Sequence, residues 1–258
     1  ASLGTLSIPV TITDDQNRSS TSNIALAVGD CGTDSGAPVV ISMIYGGGGN
    51  AGAIFNADFV EIHNRSCSPV GLDGWALQYT SAGGVNTFDG TRQVNLSGVI
   101  GPGQFRLIQT ERVGQSAAGL PIPTPDFLAF PADPQGTPVP PETINGFGMS
   151  QSAGRVALTN TTTALGGTCA GASVVDVVGY GATAFCYEGA ASTLDASNTL
   201  AVIRKNNGCT DSNQNFSDFE SMFPRDPFNA ASPAITCSTC TPAGCNLADI
   251  TEVGGTEE

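Results

Sequence analysis

From Val39 onward the chain is written in short runs of β-branched and aromatic residues divided by turn chemistry, and nothing else in it constrains the fold as strongly. The runs are VVISMIY (39–45), DFVEIHN (58–64), GWALQYT (74–80), VNLSGVI (94–100), QFRLIQT (104–110), GRVALTN (154–160), VVDVVGY (174–180) and TLAVIRK (199–205). Each is too short for a typical helix and has the composition of a strand, and Gly, Pro, Asn and Asp fill the spaces between them. Seven or eight such units are the pattern of an all-β, immunoglobulin-like sandwich. The 33 glycines and 16 prolines in 258 residues make up about a fifth of the chain, against an ordinary ~12%, which excludes a helical bundle or coiled coil. Because 40% of residues are apolar, the chain has enough to bury and is not disordered.

Two segments depart from the rhythm. At the N-terminus Leu6, Ile8, Val10 and Ile12 alternate with Ser7, Pro9, Thr11 and Thr13, the signature of a half-buried strand, which Pro9 places at an edge. A polar stretch at 14–22 separates it from Ile24, Leu26 and Val28, so residues 1–30 read as a hairpin or a mobile arm. Residues 113–146 hold PIPTPDF and PADPQGTPVPPE, extended and Pro-rich, and read as a surface excursion rather than a second core. The expected organisation is an N-terminal strand or hairpin arm at 1–30, a sandwich over 31–232, and a Cys-containing acidic tail at 233–258.

The formal charge of −14 arises from 23 Asp and Glu against nine Lys and Arg. Nucleic-acid binding needs clustered cations to displace phosphate counterions, and none is clustered here, so neither nucleic acid nor an anionic membrane is an expected partner. No apolar run reaches the ~18 residues of a spanning helix. Eight cysteines in so acidic a chain fit an oxidising compartment. Ala1 in place of an initiator Met predicts that a signal peptide has been removed. The expected location is secreted, extracellular or at the cell surface.

The strand words occur in an order that resembles the lamin tail domain in its secreted bacterial form. VVISMIYGGGGNAGAIFNADFVEIHN (39–64), SPVGLDGWALQY (68–79), LSGVIGPGQFRLIQ (96–109), GRVALTN (154–160), VVDVVGYG (174–181) and NTLAVIRK (198–205) carry the resemblance, which extends over roughly residues 39–229. Within these blocks Val60 and Ile62 share one face of a strand, Trp75 supplies a large aromatic to anchor the space between two sheets, and Gly101-Pro102-Gly103 makes a tight turn. The resemblance implies an immunoglobulin-like sandwich acting as an adaptor or structural module. It also implies a disulfide between Cys186 and Cys209, since a similar pair occurs in bacterial lamin tail domains. Such domains often stand beside extracellular nuclease or phosphatase domains, for which 258 residues leave no room.

Candidate chemistry is sparse. The single histidine, His63, follows Glu61 on the face opposite Val60 and Ile62, a solvent-side strand position, and no nucleophile motif such as G-x-S-x-G accompanies it. CSTC at 237–240 has the spacing of half a zinc site, but there is no second C-x-x-C, so disulfides are favoured. The pairing of Cys31, Cys67, Cys169, Cys237, Cys240 and Cys245 stays open. DSNQNFSD (211–218) sets oxygen ligands at Asp211, Asn213, Asn215 and Asp218, like the first half of a calcium loop, without the glycine at the sixth position or the distant Glu. An Asx turn or helix cap accounts for the same residues. Five N-x-S/T sequons, at Asn17, Asn64, Asn95, Asn160 and Asn215, exceed chance only slightly. Gly46 to Gly49 lack the helix and Lys of a phosphate loop.

The expected function is that of a non-enzymatic, secreted structural or interaction protein that needs no cofactor, calcium aside. Its partners would be proteins, copies of itself included: the strand carrying Leu6, Ile8, Val10 and Ile12 either docks on residues 23–28 as a hairpin, the favoured reading because that partner is always at hand, or adds to a neighbour's sheet and builds filaments. The alternative is an accessory binding module of an extracellular nuclease or phosphatase.

Overall fold

The computed structural model describes residues 4–28, 36–83, 87–111, 113, 117–130, 146–167 and 169–237. Residues 34–237 form one compact unit, and the N-terminal hairpin belongs to another. In the hairpin, β1 (Gly4–Thr13) and β2 (Ser19–Val28) pair antiparallel over ten positions, with Leu6 opposite Leu26 and Ile8 opposite Ile24. The turn is fixed by Asp14, whose carboxylate accepts the N–H groups of Gln16 and Arg18 and pairs with the Arg18 guanidinium, while Asn17 takes the left-handed conformation, which asparagine tolerates. Of the two readings of residues 1–30, a hairpin or a mobile arm, the hairpin is the one formed.

The larger unit is a two-layer sandwich. β3 (Val39–Tyr45), β4 (Phe59–Asn64), β9 (Phe105–Gln109), β10 (Phe127–Leu128), β13 (Ala201–Arg204) and β14 (Phe219–Met222) form one sheet in the order β10-β9-β4-β3-β13-β14. The facing sheet, ordered β12-β11-β6-β7, is built from β6 (Ala76–Ser81), β7 (Gln93–Asn95), β11 (Gly154–Thr159) and β12 (Val174–Tyr180). The short strands β5 (Val70–Gly71) and β8 (Val99–Ile100) pair beside them, and Asn215–Asp218 forms a single helical turn, α1. Two strand readings, 39–45 and 174–180, match β3 and β12 residue for residue. The run 94–100 is divided at Leu96–Gly98 between β7 and β8, which join different sheets.

Between the layers lies one continuous core. Val60 and Ile62 of β4 meet Leu77 and Tyr79 of β6, Val156 and Leu158 of β11 and Val178 of β12, with Trp75 packed half-buried at the margin. A bulge in β3 between Ile41 and Met43 inverts the side-chain alternation. Val39, Ile41 and Ile44 therefore face this core while Met43 and Tyr45 face the opposite side, since one extra residue exchanges the two faces.

Both outer faces are covered as well. Met43, Tyr45, Phe55, Phe59 and Leu107 form a second cluster on the far side of the six-stranded sheet. Phe88, Ala157, Val177 and Cys186 form a third. The Pro-rich excursion contributes to the second cluster through Ile122, and its Phe127–Leu128 adds to β9 as a parallel edge strand; residues 131–145 lie outside the described residues. The tail boundary also moves. Residues 233–237 belong to the sandwich unit, because Ile235 pairs with the backbone of Gly103.

Depth of burial sets an expected contrast between two isoleucines. Ile62 is fully buried and Ile12 is 73% exposed, so Ile62→Ala should cost about 2–5 kcal/mol and Ile12→Ala less than about 0.5 kcal/mol, as measured by urea denaturation of the oxidised protein.

Candidate functional site

Two groups of buried titratable side chains stand out, and both are sealed. On the outer face of the six-stranded sheet the alternation of β4 carries Phe59, Glu61 and His63 away from the core, as the sequence indicates, but not into solvent. Glu61 and His63 are both 0% exposed. The expectation of a solvent-side His63 is therefore corrected, and the cause is a strap formed by residues 225–237.

Arg225 places a forked pair of bonds, 2.9 and 2.7 Å, on the Glu61 carboxylate, which also accepts the Phe228 N–H at 2.6 Å and the Ser42 hydroxyl at 2.6 Å. His63 stacks on Phe105 with ring centroids 4.2 Å apart, and Phe228 packs against the same Phe105. Beyond them the Ile235 carbonyl receives the Nε2 proton of His63 at 3.0 Å, and the Ile235 N–H donates to the Gly103 carbonyl at 2.8 Å. Gly103 is required there, since its φ is +69° and a Cβ would stand 2.9 Å from the Ile235 backbone. The strap ends at Cys237, bonded to Cys209.

The second place lies between the sheets. Arg204, on β13, is completely buried and pairs with Asp176 of β12 at 2.7 Å and Asp211 at 3.2 Å, with Asp218 at 3.8 Å. Its Nε donates to the Ile41 carbonyl at 2.9 Å, and its plane lies over the Phe219 ring. Asp176 accepts the Ile41 N–H at 2.6 Å with the oxygen that Arg204 holds. Arg65 reaches Asp211 from the other side at 3.4 Å.

Three of the four residues in the calcium reading of 211–218 are bonded within the fold. Asp211 and Asp218 approach Arg204, whose guanidinium supplies the positive charge a cation would bring. Asp218 further accepts the N–H groups of Ser212 and Gln214. Asn215 turns elsewhere, its Oδ1 accepting the Gly179 N–H at 2.9 Å and its Nδ2 donating to the Val177 carbonyl. Asn213 is exposed in the left-handed conformation of a turn. The segment carries α1 and joins the sheet interface through these side chains.

The remaining expectations sort by place. The Cys186–Cys209 pair is corrected to two bridges, Cys169–Cys186 and Cys209–Cys237. Cys186 is drawn to the outer face of the four-stranded sheet, into the cluster with Phe88 and Val177, whereas Cys209 sits beneath the strap on the other sheet. Cys31, Cys240 and Cys245 lie outside the described residues. Among the sequons, Asn17, Asn95 and Asn160 are exposed. Asn64 and Asn215 are fully buried, and the Asn64 amide is spent on the Ser68 and Ile100 carbonyls. Among the described residues one group of three His, Cys, Asp or Glu side chains brings ligand atoms together: a ring nitrogen of His63 and the sulfurs of Cys209 and Cys237, all within 4.8 Å of one another. Cys209 gave no sign of this in the sequence, being 28 residues from Cys237 and far from His63. No helix among the described residues is long and apolar enough to cross a membrane.

Two facing sheets with covered outer faces and bracing disulfides define an immunoglobulin-like β-sandwich of the binding or structural kind. The family model of the lamin tail domain matches residues 33–219, and the chain belongs to that family. No curated protein matches it. Among solved structures it is similar to a DUF4876 family protein from Bacteroides thetaiotaomicron, at 16% identity and a TM-score of 0.48, over 92% of this chain and 86% of that one.

Two expected outcomes follow from these burials. Arg225→Ala leaves the Glu61 carboxylate buried without its counter-charge, at a cost of about 3 kcal/mol, the low end of the range because Arg225 is itself a quarter exposed; denaturant titration measures it. Burial pushes the Asp58 carboxyl up to about 7 and, with the neighbouring charge of Asp176, that of Glu188 up to about 8. A carboxyl raised in the folded state binds its proton more tightly when folded. Its contribution to stability is thus fully present below the unfolded value near 4 and is lost as the pH climbs through 7 and 8. Unfolding free energy should fall between pH 5 and 8, by up to about 1.4 kcal/mol per pH unit for each proton released, and Glu188→Gln should flatten the upper part of that curve.

Proposed function

We propose that this chain is an extracellular, non-enzymatic structural and interaction module whose partners are proteins, including further copies of itself. One observation carries the reading: the charged side chains under the strap and between the sheets are spent on holding the sandwich closed. Glu61, Asp176, Arg204, Asp211 and Asp218 are each buried and bonded to a partner in the fold. Two disulfides suit an oxidising compartment. The surface, by contrast, offers backbone and apolar area.

Two features supply the contact. Among the described residues the hairpin sheet holds only β1 and β2, so there each ten-residue strand has an edge without a strand partner, and two-stranded sheets are marginal until something adds to them. Val10 and Ile12 are exposed along it. At the end of the six-stranded sheet β14 is the terminal strand, and Phe216, Met222 and Phe223 are exposed around it, a concentration of large apolar groups of the kind that marks interaction surfaces. A hairpin donated by one copy to the β14 edge of the next is β-augmentation, and because donor and acceptor are different surfaces, the contact repeats without closing and gives a filament. The arm travels as a hairpin, not as the lone strand read from Leu6, Ile8, Val10 and Ile12.

Removing residues 1–28 tests this, with Phe223→Asp as the acceptor-side variant. The full chain should assemble with concentration in sedimentation and microscopy, and both variants should keep the sandwich's near-ultraviolet dichroism yet remain monomeric. Assembly unaffected by both changes, or a full chain that is monomeric at every concentration, overturns the reading.

A further inference from the structure

His63 is the only histidine of the chain and is wholly buried. Its Nε2 faces the Ile235 carbonyl at 3.0 Å. A carbonyl accepts and does not donate, so the ring carries its proton on Nε2 and Nδ1 keeps a free lone pair. That Nδ1 has no hydrogen-bond partner. The Gly208 backbone lies against the ring, close enough that a Cβ there would stand 2.8 Å from Nδ1. Folds rarely leave a buried acceptor in this state without a use for it.

The use is next to it in space. The sulfurs of Cys209 and Cys237 and a ring nitrogen of His63 lie within 4.8 Å of one another. A neutral imidazole with one nitrogen pinned to a backbone carbonyl is how a metal-ligating histidine is held, and two thiolates with one imidazole are a zinc donor set. Burial lowers the proton affinity of the ring, which favours the neutral form a ligand needs. We propose that, when the Cys209–Cys237 bond is reduced, the two thiolates and His63 Nδ1 bind one zinc(II) ion, so that the strap is fastened by a disulfide in one redox state and by zinc in the other.

The electron count closes with a dithiol as reductant. One of its thiolates attacks a sulfur of the bridge to give a mixed disulfide, and its second thiolate resolves it. The reductant leaves as its own disulfide, and Cys209 and Cys237 are left as thiols, having gained two electrons and two protons. Zinc then displaces both thiol protons. Two thiolates balance the charge of the ion and the imidazole is neutral, so the buried site has no net charge to desolvate. Cys237 is buried and Cys209 only half-buried, which leaves the Cys209 side for a solvent molecule as fourth ligand.

The test uses the full chain, reduced with dithiothreitol, freed of it without oxygen and titrated with zinc against a chromophoric chelator. The variant Cys240→Ser/Cys245→Ser removes the neighbouring tail thiols, and His63→Asn removes the imidazole. The reduced wild type and the tail variant should each bind one zinc at this site, the oxidised chain none there, and His63→Asn should weaken binding at least about tenfold. Cobalt(II) in place of zinc should show sulfur-to-cobalt charge transfer that changes in His63→Asn. If reduction abolishes the near-ultraviolet dichroism, one equivalent of zinc should restore it. No binding to the reduced chain, loss of binding in the tail variant, affinity unchanged in His63→Asn, or a reduced chain that zinc does not refold would each overturn the proposal.

Discussion

The guanidinium of Arg204 is the point on which the two layers depend. It rises from β13 in the six-stranded sheet, bonds the carbonyl of Ile41 on β3 and meets Asp176 of β12 in the facing sheet at 2.7 Å. Asp211 and Asp218 bring the loop after β13 and the end of α1 to the same group. A buried ion pair is weak evidence for net stability, because the desolvation it requires is large. What it does here is fix position. A guanidinium offers five donors in a plane, so the sheets, the loop and the helical turn meet in one arrangement only, and any displacement leaves a buried charge unpaired.

The strap applies the same chemistry on the outer face. An immunoglobulin-like sheet ordinarily shows water one side, and β4 would do so if residues 225–237 were absent. Arg225 on Glu61, Phe228 on Phe105 and Ile235 on His63 convert that side into a second interior. With both outer faces occupied, the sandwich leaves open its sheet edges and a few exposed apolar residues. This accounts for the contrast between a core rich in charged groups and a surface whose notable features are backbone edges and Phe216, Met222 and Phe223.

Much of the fold was legible residue by residue. Strands β3 and β12 are bounded where the runs of Val and Ile begin and end, and the Gly101-Pro102-Gly103 turn lies where its composition puts it. Strands β5, β10 and β14 escaped notice because two to four residues carry no detectable period, and pairing alone makes them strands. The order of blocks that resembles the lamin tail domain was a truer guide than any one of them, since it records topology that local pattern does not hold.

The candidate site was legible only in part. By itself the sequence determined which residues of β4 turn away from the core: a period of two leaves Glu61 and His63 no alternative once Val60 and Ile62 are inside. Whether that side met water was decided by tertiary structure, because the strap that covers it, RDPFNAASPAITC, has no periodicity of its own and is recognised only by what it touches. The cysteines divide in the same way. Their number points to an oxidising compartment, but which of them bond is a matter of which strands the topology brings within reach. Sequence separation says nothing of a distance that depends on folding, and so Cys209 finds Cys237 and His63 rather than Cys186.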